Sequence, residues 1–167
     1  MLQAVMFYVF AVLTIISGIT VVTRRNPISA AVALVVSFFF LAAMYVMLGA
    51  HFVAITQVLV YAGAIMVLFI FVIMLLNLRE EGPSPLEEFG VRAVGGLSVA
   101  GLVGTGIVVA IESVAYEPMG PIDANFGTIE AVGEAMFGGP YLLPFEIASA
   151  LLTVAMVGAV VLAKREI

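Results

Sequence analysis

The chain has no cysteine and only one histidine, His51. The first absence excludes a disulfide, a thiolate nucleophile, an iron–sulfur cluster held by this chain and any cysteine-based zinc site. One histidine cannot build a metal cage alone. No metal site and no redox cofactor is therefore expected here. Charge is also scarce: charged residues fill 10% of the 167 positions against 64% for hydrophobic ones, and the mean hydropathy is +1.27. That balance lies far outside a soluble domain and makes lipid the solvent for most of the chain. The formal charge of −5 says less about partners than the side of the bilayer each charge occupies. No nucleic-acid partner is expected. Nor is there an internal repeat, which disfavours an inverted-repeat transporter built from this chain alone.

What is present is a series of long apolar runs. A helix needs about 20 apolar residues to cross the hydrocarbon core, and only a helix or a closed barrel leaves no backbone amide unpaired in lipid. Five stretches qualify: about 3–22, 28–49, 52–78, 89–111 and 143–163. Their continuous apolar character speaks against the alternation of a barrel strand. The expectation is an all-α integral membrane protein, one membrane domain over 1–167, with five transmembrane helices and a long outer loop between the fourth and fifth. The first run has no basic residue before it and no clear cleavage site, so it is expected to stay in the mature chain.

The basic residues are Arg24, Arg25, Arg79, Arg92, Lys164 and Arg165. With five spans all six fall on one side, while the N-terminus, the Gly49-Ala50-His51 turn and the segment 112–142 carry none. The positive-inside bias then puts the N-terminus outside and the C-terminus in the cytoplasm. Four or six spans would break this separation.

In the outer loop Pro118, Gly120, Pro121, Gly127, Gly138, Gly139 and Pro140 predict irregular backbone or short helical turns. Phe126, Ile129, Val132, Ala135 and Met136 nevertheless recur at helical spacing against Glu130 and Glu134. Two readings stand side by side: a short helix on the outer surface or against a neighbouring subunit, and a solvated acidic loop.

Ionisable groups inside a membrane are costly, so they are the first candidates for a proton or ion path. Only His51, Glu112 and Glu146 come close, all near outer ends of spans. His51 reads as an interfacial turn residue and Glu112 as the last residue before water. Glu146 follows Pro144 in the expected first turn of span five, where the helix dipole favours a carboxylate, so capping alone accounts for it as well as a polar path does.

Span three is the longest run and holds Thr56, Gln57 and Tyr61 in its first half. Gln57 and Tyr61, four residues apart, share a face that must meet protein or water. Beside them Ala62, Gly63 and Ala64 permit close helix approach, and they lower the cost of an inserted residue or π-bulge. Ordinary small-residue packing explains the same three residues. In span four Gly96, Ala100 and Gly104 make a small-residue stripe that predicts packing, not chemistry.

The segment YAGAIMVLFIFVIMLLN, Tyr61 to Asn77, resembles the membrane subunit of respiratory complex I called subunit J in bacteria and subunit 6 in mitochondria. Asn26-Pro27 after an arginine pair, Ser29-Ala30-Ala31 opening span two, and LLPFEIASALLTVAMVGAVVLAK from Leu142 to Lys164 resemble it too, in the same order along the chain. The resemblance implies a small membrane subunit of proton-translocating NADH:quinone oxidoreductase, without catalytic residues of its own, that couples quinone reduction to proton translocation. It implies partners among the quinone-site and antiporter-like subunits, and FMN, iron–sulfur clusters and quinone held elsewhere in the complex. It implies a multi-pass location in a bacterial inner membrane. It also implies that Tyr61, Gly63 and Val67 form a gate, the third span switching between a π-bulge and regular helix. The polar residues Thr56, Gln57 and Glu146 are expected, from their own chemistry, to serve as water-path or polar-packing residues. Some family members carry Glu where Gln57 stands, and an amide releases no proton at physiological pH. Proton-carrying carboxylates are then expected on neighbouring subunits. The alternative from another class is a self-contained homo-oligomeric channel or small transporter, which would be expected to place charges or broken helices near the midplane.

Overall fold

The computed structural model describes residues 1–76, 91–113 and 125–164, with the backbone alone at 91–94 and at 97. Asn77, Leu78, Arg79, Phe89, Pro118, Gly120, Pro121, Arg165 and the Arg92 side chain lie outside the described residues. Every described element is helical: α1 (Leu2–Thr23), α2 (Pro27–Met47), α3 (His51–Leu76), α4 (Val91–Ser113), α5 (Ile129–Gly138) and α6 (Leu142–Ala163). Four of them, α1, α2, α3 and α6, are long and apolar enough to cross a membrane. In α4 the described apolar stretch is the shorter Ser98–Ser113.

Local chemistry sets the first boundaries. The Asn26 side chain accepts hydrogen bonds from the backbone N–H groups of Ile28 and Ser29, at 2.9 and 3.2 Å, and Pro27 occupies the first helical position, where no N–H is needed. At its far end α2 turns through Gly49, whose φ of 76° lies in the left-handed region that glycine adopts without a Cβ penalty. The chain reverses there, and Ala50 N–H donates to Tyr45 O at 2.9 Å.

α1 packs along α2, and α2 packs along the whole of α3. Thr14 Oγ1 lies 3.8 Å from Met44 Sδ, the tilted rings of Phe10 and Phe40 have centroids 6.5 Å apart, and Gln3 Nε2 donates to Met47 O at 3.4 Å. Ala31, Met66 and Ile73 form the buried centre of the α2–α3 seam, with Leu34, Val35, Phe38 and Ile70 around them. In lipid the hydrophobic effect does not drive helices together, so this seam is held by close packing around small residues.

The second half differs. α5 touches the start of α3 and the start of α6, and among the described residues α4 packs against no other helix. None of the apolar stretch of α6 is buried.

Candidate functional site

The least regular part of the fold is inside α3. From Gln57 to Ile65 the backbone is a π-helix, and Met66 N–H donates to Tyr61 O, five residues back. Each hydrogen-bonded loop here encloses one residue more than in an α-helix, at poorer geometry, so such segments form where something outside the helix rewards them. The small residues Ala62, Gly63 and Ala64 make the widening cheap. A Cβ on Gly63 would come within 3.2 Å of the Val58 carbonyl oxygen, a contact tighter than ordinary packing.

Burial shows what the extra residue does. Ala54, Gln57, Ala62, Met66 and Ile73 are buried. Their spacing is helical everywhere except the step of five between Gln57 and Ala62, so the π segment keeps one face of α3 against α2 along its full length. Gln57 and Tyr61 share a face in a regular helix; here Ala62, at 4% exposure, follows Gln57 on the buried face. Tyr61 is left 48% exposed at the flank, its ring edge-on to Phe38 with centroids 5.9 Å apart. Val67 is 61% exposed, one position on from the buried Met66.

The polar groups differ in how they are satisfied. Thr56 Oγ1 donates to Phe52 O at 2.9 Å, so its hydroxyl is paired within the helix. Gln57 is 8% exposed, and its amide hydrogen-bonds no described residue. In a membrane an amide in that position requires water or a neighbour's polar group. Glu146 is not brought to this site, because α6 touches α5 and not α3. Nor is it in the first turn: α6 begins at Leu142, which makes Glu146 its fifth residue, and Pro144 is the third. Proline is tolerated there because the first turn has no intrahelical acceptor for its N–H groups. Glu146 therefore does not cap the N-terminus of α6, contrary to the expectation from its place after Pro144. His51 is exposed at the start of α3, and Glu112 is exposed near the end of α4. Among the described residues no group of three or more His, Asp or Glu is placed to hold a metal ion.

Sequence reading did not single out two features. One is Phe38 on α2, indistinguishable along the chain from other apolar positions. The other is the contact between two turns. Gly127 has φ 78° and lies against the Gly49 carbonyl, and Phe52 N–H donates to Gly127 O at 3.3 Å, closing the first turn of α3. The following segment is a helix, capped by Thr128, whose Oγ1 accepts from Ala131 N–H at 3.2 Å. The ring of Phe137 meets that of Phe145 of α6 edge-on, with centroids 4.9 Å apart.

Comparison with known proteins gives consistent matches. The family NADH-ubiquinone/plastoquinone oxidoreductase chain 6 matches residues 17–162, which take in the end of α1, all of α2 to α5 and nearly all of α6. The chain is 36% identical to NADH-quinone oxidoreductase subunit J of Pseudomonas aeruginosa over 96% of each protein. It is 33% identical to subunit J of Escherichia coli K12, covering 96% of this chain and 86% of that protein. To NAD(P)H-quinone oxidoreductase chain 6 of Synechocystis sp. it is 38% identical, over 99% of this chain and 82% of the relative.

Proposed function

Because the chain belongs to the NADH-ubiquinone/plastoquinone oxidoreductase chain 6 family, we propose that it is a membrane subunit of a proton-translocating NADH:quinone oxidoreductase, with α3 as a two-register gate. It crosses a bacterial inner membrane five times, α4 included, with the N-terminus outside and the C-terminus in the cytoplasm. It carries no cofactor of its own; FMN, iron–sulfur clusters and quinone belong to other subunits. Its neighbours are the quinone-site and antiporter-like subunits, and the uncovered faces of α4 and α6 support that reading.

The observation that carries the gate is the five-residue step from Gln57 to Ala62. A regular helix advances about 100° per residue. If the segment Gln57–Ile65 relaxed to α-helix, the half of α3 beyond it would turn by that amount relative to the half before it. Tyr61 would then take the place of Ala62, and Ile65 that of Met66. Met66 would swing to where Val67 now stands. Such an exchange of a small side chain for an aromatic one beside the Gln57 amide opens or closes a path for water, and Val67 supplies a bulky apolar constriction. Gln57 orders water without giving up a proton.

Gly63→Val in the assembled complex tests this. Crowding against the Val58 carbonyl disfavours the π register by about 1–3 kcal/mol, so NADH-driven proton uptake into proteoliposomes falls on the order of tenfold, with subunit composition unchanged. Gly63→Ala gives a smaller loss and guards against a variant that fails to assemble. Full coupling in both variants would end the gate proposal. Membership of the complex is tested separately: a tag on the C-terminus recovers flavin and iron–sulfur subunits with this chain, whereas recovery of the chain alone from an intact membrane would contradict it.

A further inference from the structure

The arginine pair after α1 has no part in the gate, and one of its members borders a groove. Between the end of α1 and the start of α2 lies a cavity of about 370 Å³, lined by Thr20, Arg24, Ile28, Ser29, Val32 and Ala33. That volume is within the range of small-molecule sites, roughly 300–1,000 Å³. The lining is graded along the helices. Arg24 and Ser29 stand at the mouth, where α1 ends and α2 begins, while Val32 and Ala33 lie one turn deeper along α2 and Thr20 one turn deeper along α1.

The polar groups at the mouth are available. The Arg24 guanidinium makes no hydrogen bond or ion pair with any described residue, and the Ser29 hydroxyl makes none either. The deeper polar group needs no partner, because Thr20 Oγ1 donates to Ile16 O at 2.8 Å. A cation with a hydroxyl beside it at the membrane surface, continuing into an apolar trough, matches a molecule with an anionic head and a hydrocarbon tail. A free phosphate ion would use only the mouth. Arginine pairs with phosphate oxygens through a planar fork of N–H donors, and basic residues at a membrane surface draw anionic lipids.

We propose that this groove binds an anionic glycerophospholipid. Its phosphate is held by Arg24 and Ser29, and one acyl chain lies along Ile28 and Val32.

The test uses the intact purified complex in phosphatidylcholine vesicles containing a phosphatidylglycerol with a diazirine on its acyl chain. Irradiation and peptide mass spectrometry should place adducts on residues 28–33 of this chain. Unlabelled phosphatidylglycerol should compete, and inorganic phosphate should not. Arg24→Gln should lower the labelling about fivefold, the equivalent of one basic residue at a membrane surface, and Arg24→Lys should restore part of it. Four results would overturn the proposal. Absence of adducts would mean that a neighbouring polypeptide fills the groove. Equal labelling by a photoreactive phosphatidylcholine would remove the charge selectivity. Competition by inorganic phosphate would identify a free-anion site. Undiminished labelling of an assembled Arg24→Gln complex would remove the role of the arginine. Subunit composition is read on the same samples, and the competition arms on the unsubstituted complex decide the matter if Arg24→Gln does not assemble.

Discussion

The two halves of the chain differ in what holds them. α1, α2 and α3 contain every buried residue described, among them Ala31, Ala42, Ala54, Ala62, Met66 and Ile73. Among the described residues α4 and α6, of similar length, contribute none, and α6 is touched only by the small helix α5. Helices without a water-driven force between them need close contacts to stay in place, so the first half is held within the chain, and on the proposed function the second half is held by other subunits. The irregular backbone sits in the self-packed half. The α2 seam rewards the extra residue between Gln57 and Ala62, where a helix facing lipid alone would have no reason to keep it.

The largest expected effect comes from a matched pair of truncations. Met66→Ala should lower the stability of the chain in detergent by about 2–5 kcal/mol, the usual cost of a cavity at a packed site. Leu151→Ala on α6, exposed in this chain, should change it by less than about 0.5 kcal/mol. In the assembled complex Leu151→Ala and Gly104→Leu should reduce retention of this subunit during purification; a Cβ on Gly104 meets nothing within 4 Å in the chain itself. Equal costs for Met66 and Leu151 in the isolated chain would break the contrast between the halves.

Gly127→Ala should cost less, about 1–3 kcal/mol, through left-handed backbone strain and contact with the Gly49 carbonyl. Hydrogen exchange at Phe52 N–H, which the Gly127 carbonyl accepts, would report the loosened link between the outer segment and α3. The smallest effect belongs to Thr128→Ala, at about 1 kcal/mol for a lost N-cap, seen as faster exchange in the first turn of α5 alone. If that variant also loosened α6, the Phe137–Phe145 contact would be weaker than its geometry indicates.

The sequence made some of this plain and left the rest to tertiary contacts. Apolar runs bounded by Arg24-Arg25-Asn26-Pro27 and by Gly49 mark α1, α2 and the start of α3, because capping and turn chemistry are local. The amphipathic pattern around Ile129 allowed either a helix or a solvated loop, and the contacts to α3 and α6 favour the helix. Ala62, Gly63 and Ala64 permitted a π segment without requiring one. What selects it is the fit of Met66 and Ile73 against Ala31 and Leu34, across a separation of more than thirty residues that no local pattern reveals. The same holds for Gly127 on Gly49. Glu146 falls just beyond the first turn expected for it, since α6 begins at Leu142 and makes it the fifth helical residue.

The gate is tested most directly by a pair of disulfide traps in the assembled complex, clean for this chain because it has no cysteine of its own. Leu34→Cys is combined in one complex with Met66→Cys and in another with Ile65→Cys, and bridging is followed at rest and during NADH oxidation. The account predicts that the 34–66 pair bridges at rest and that turnover allows the 34–65 pair to bridge as well. A 34–65 pair that never bridges, in a complex that pumps normally, would mean that α3 keeps a single register and is not the gate.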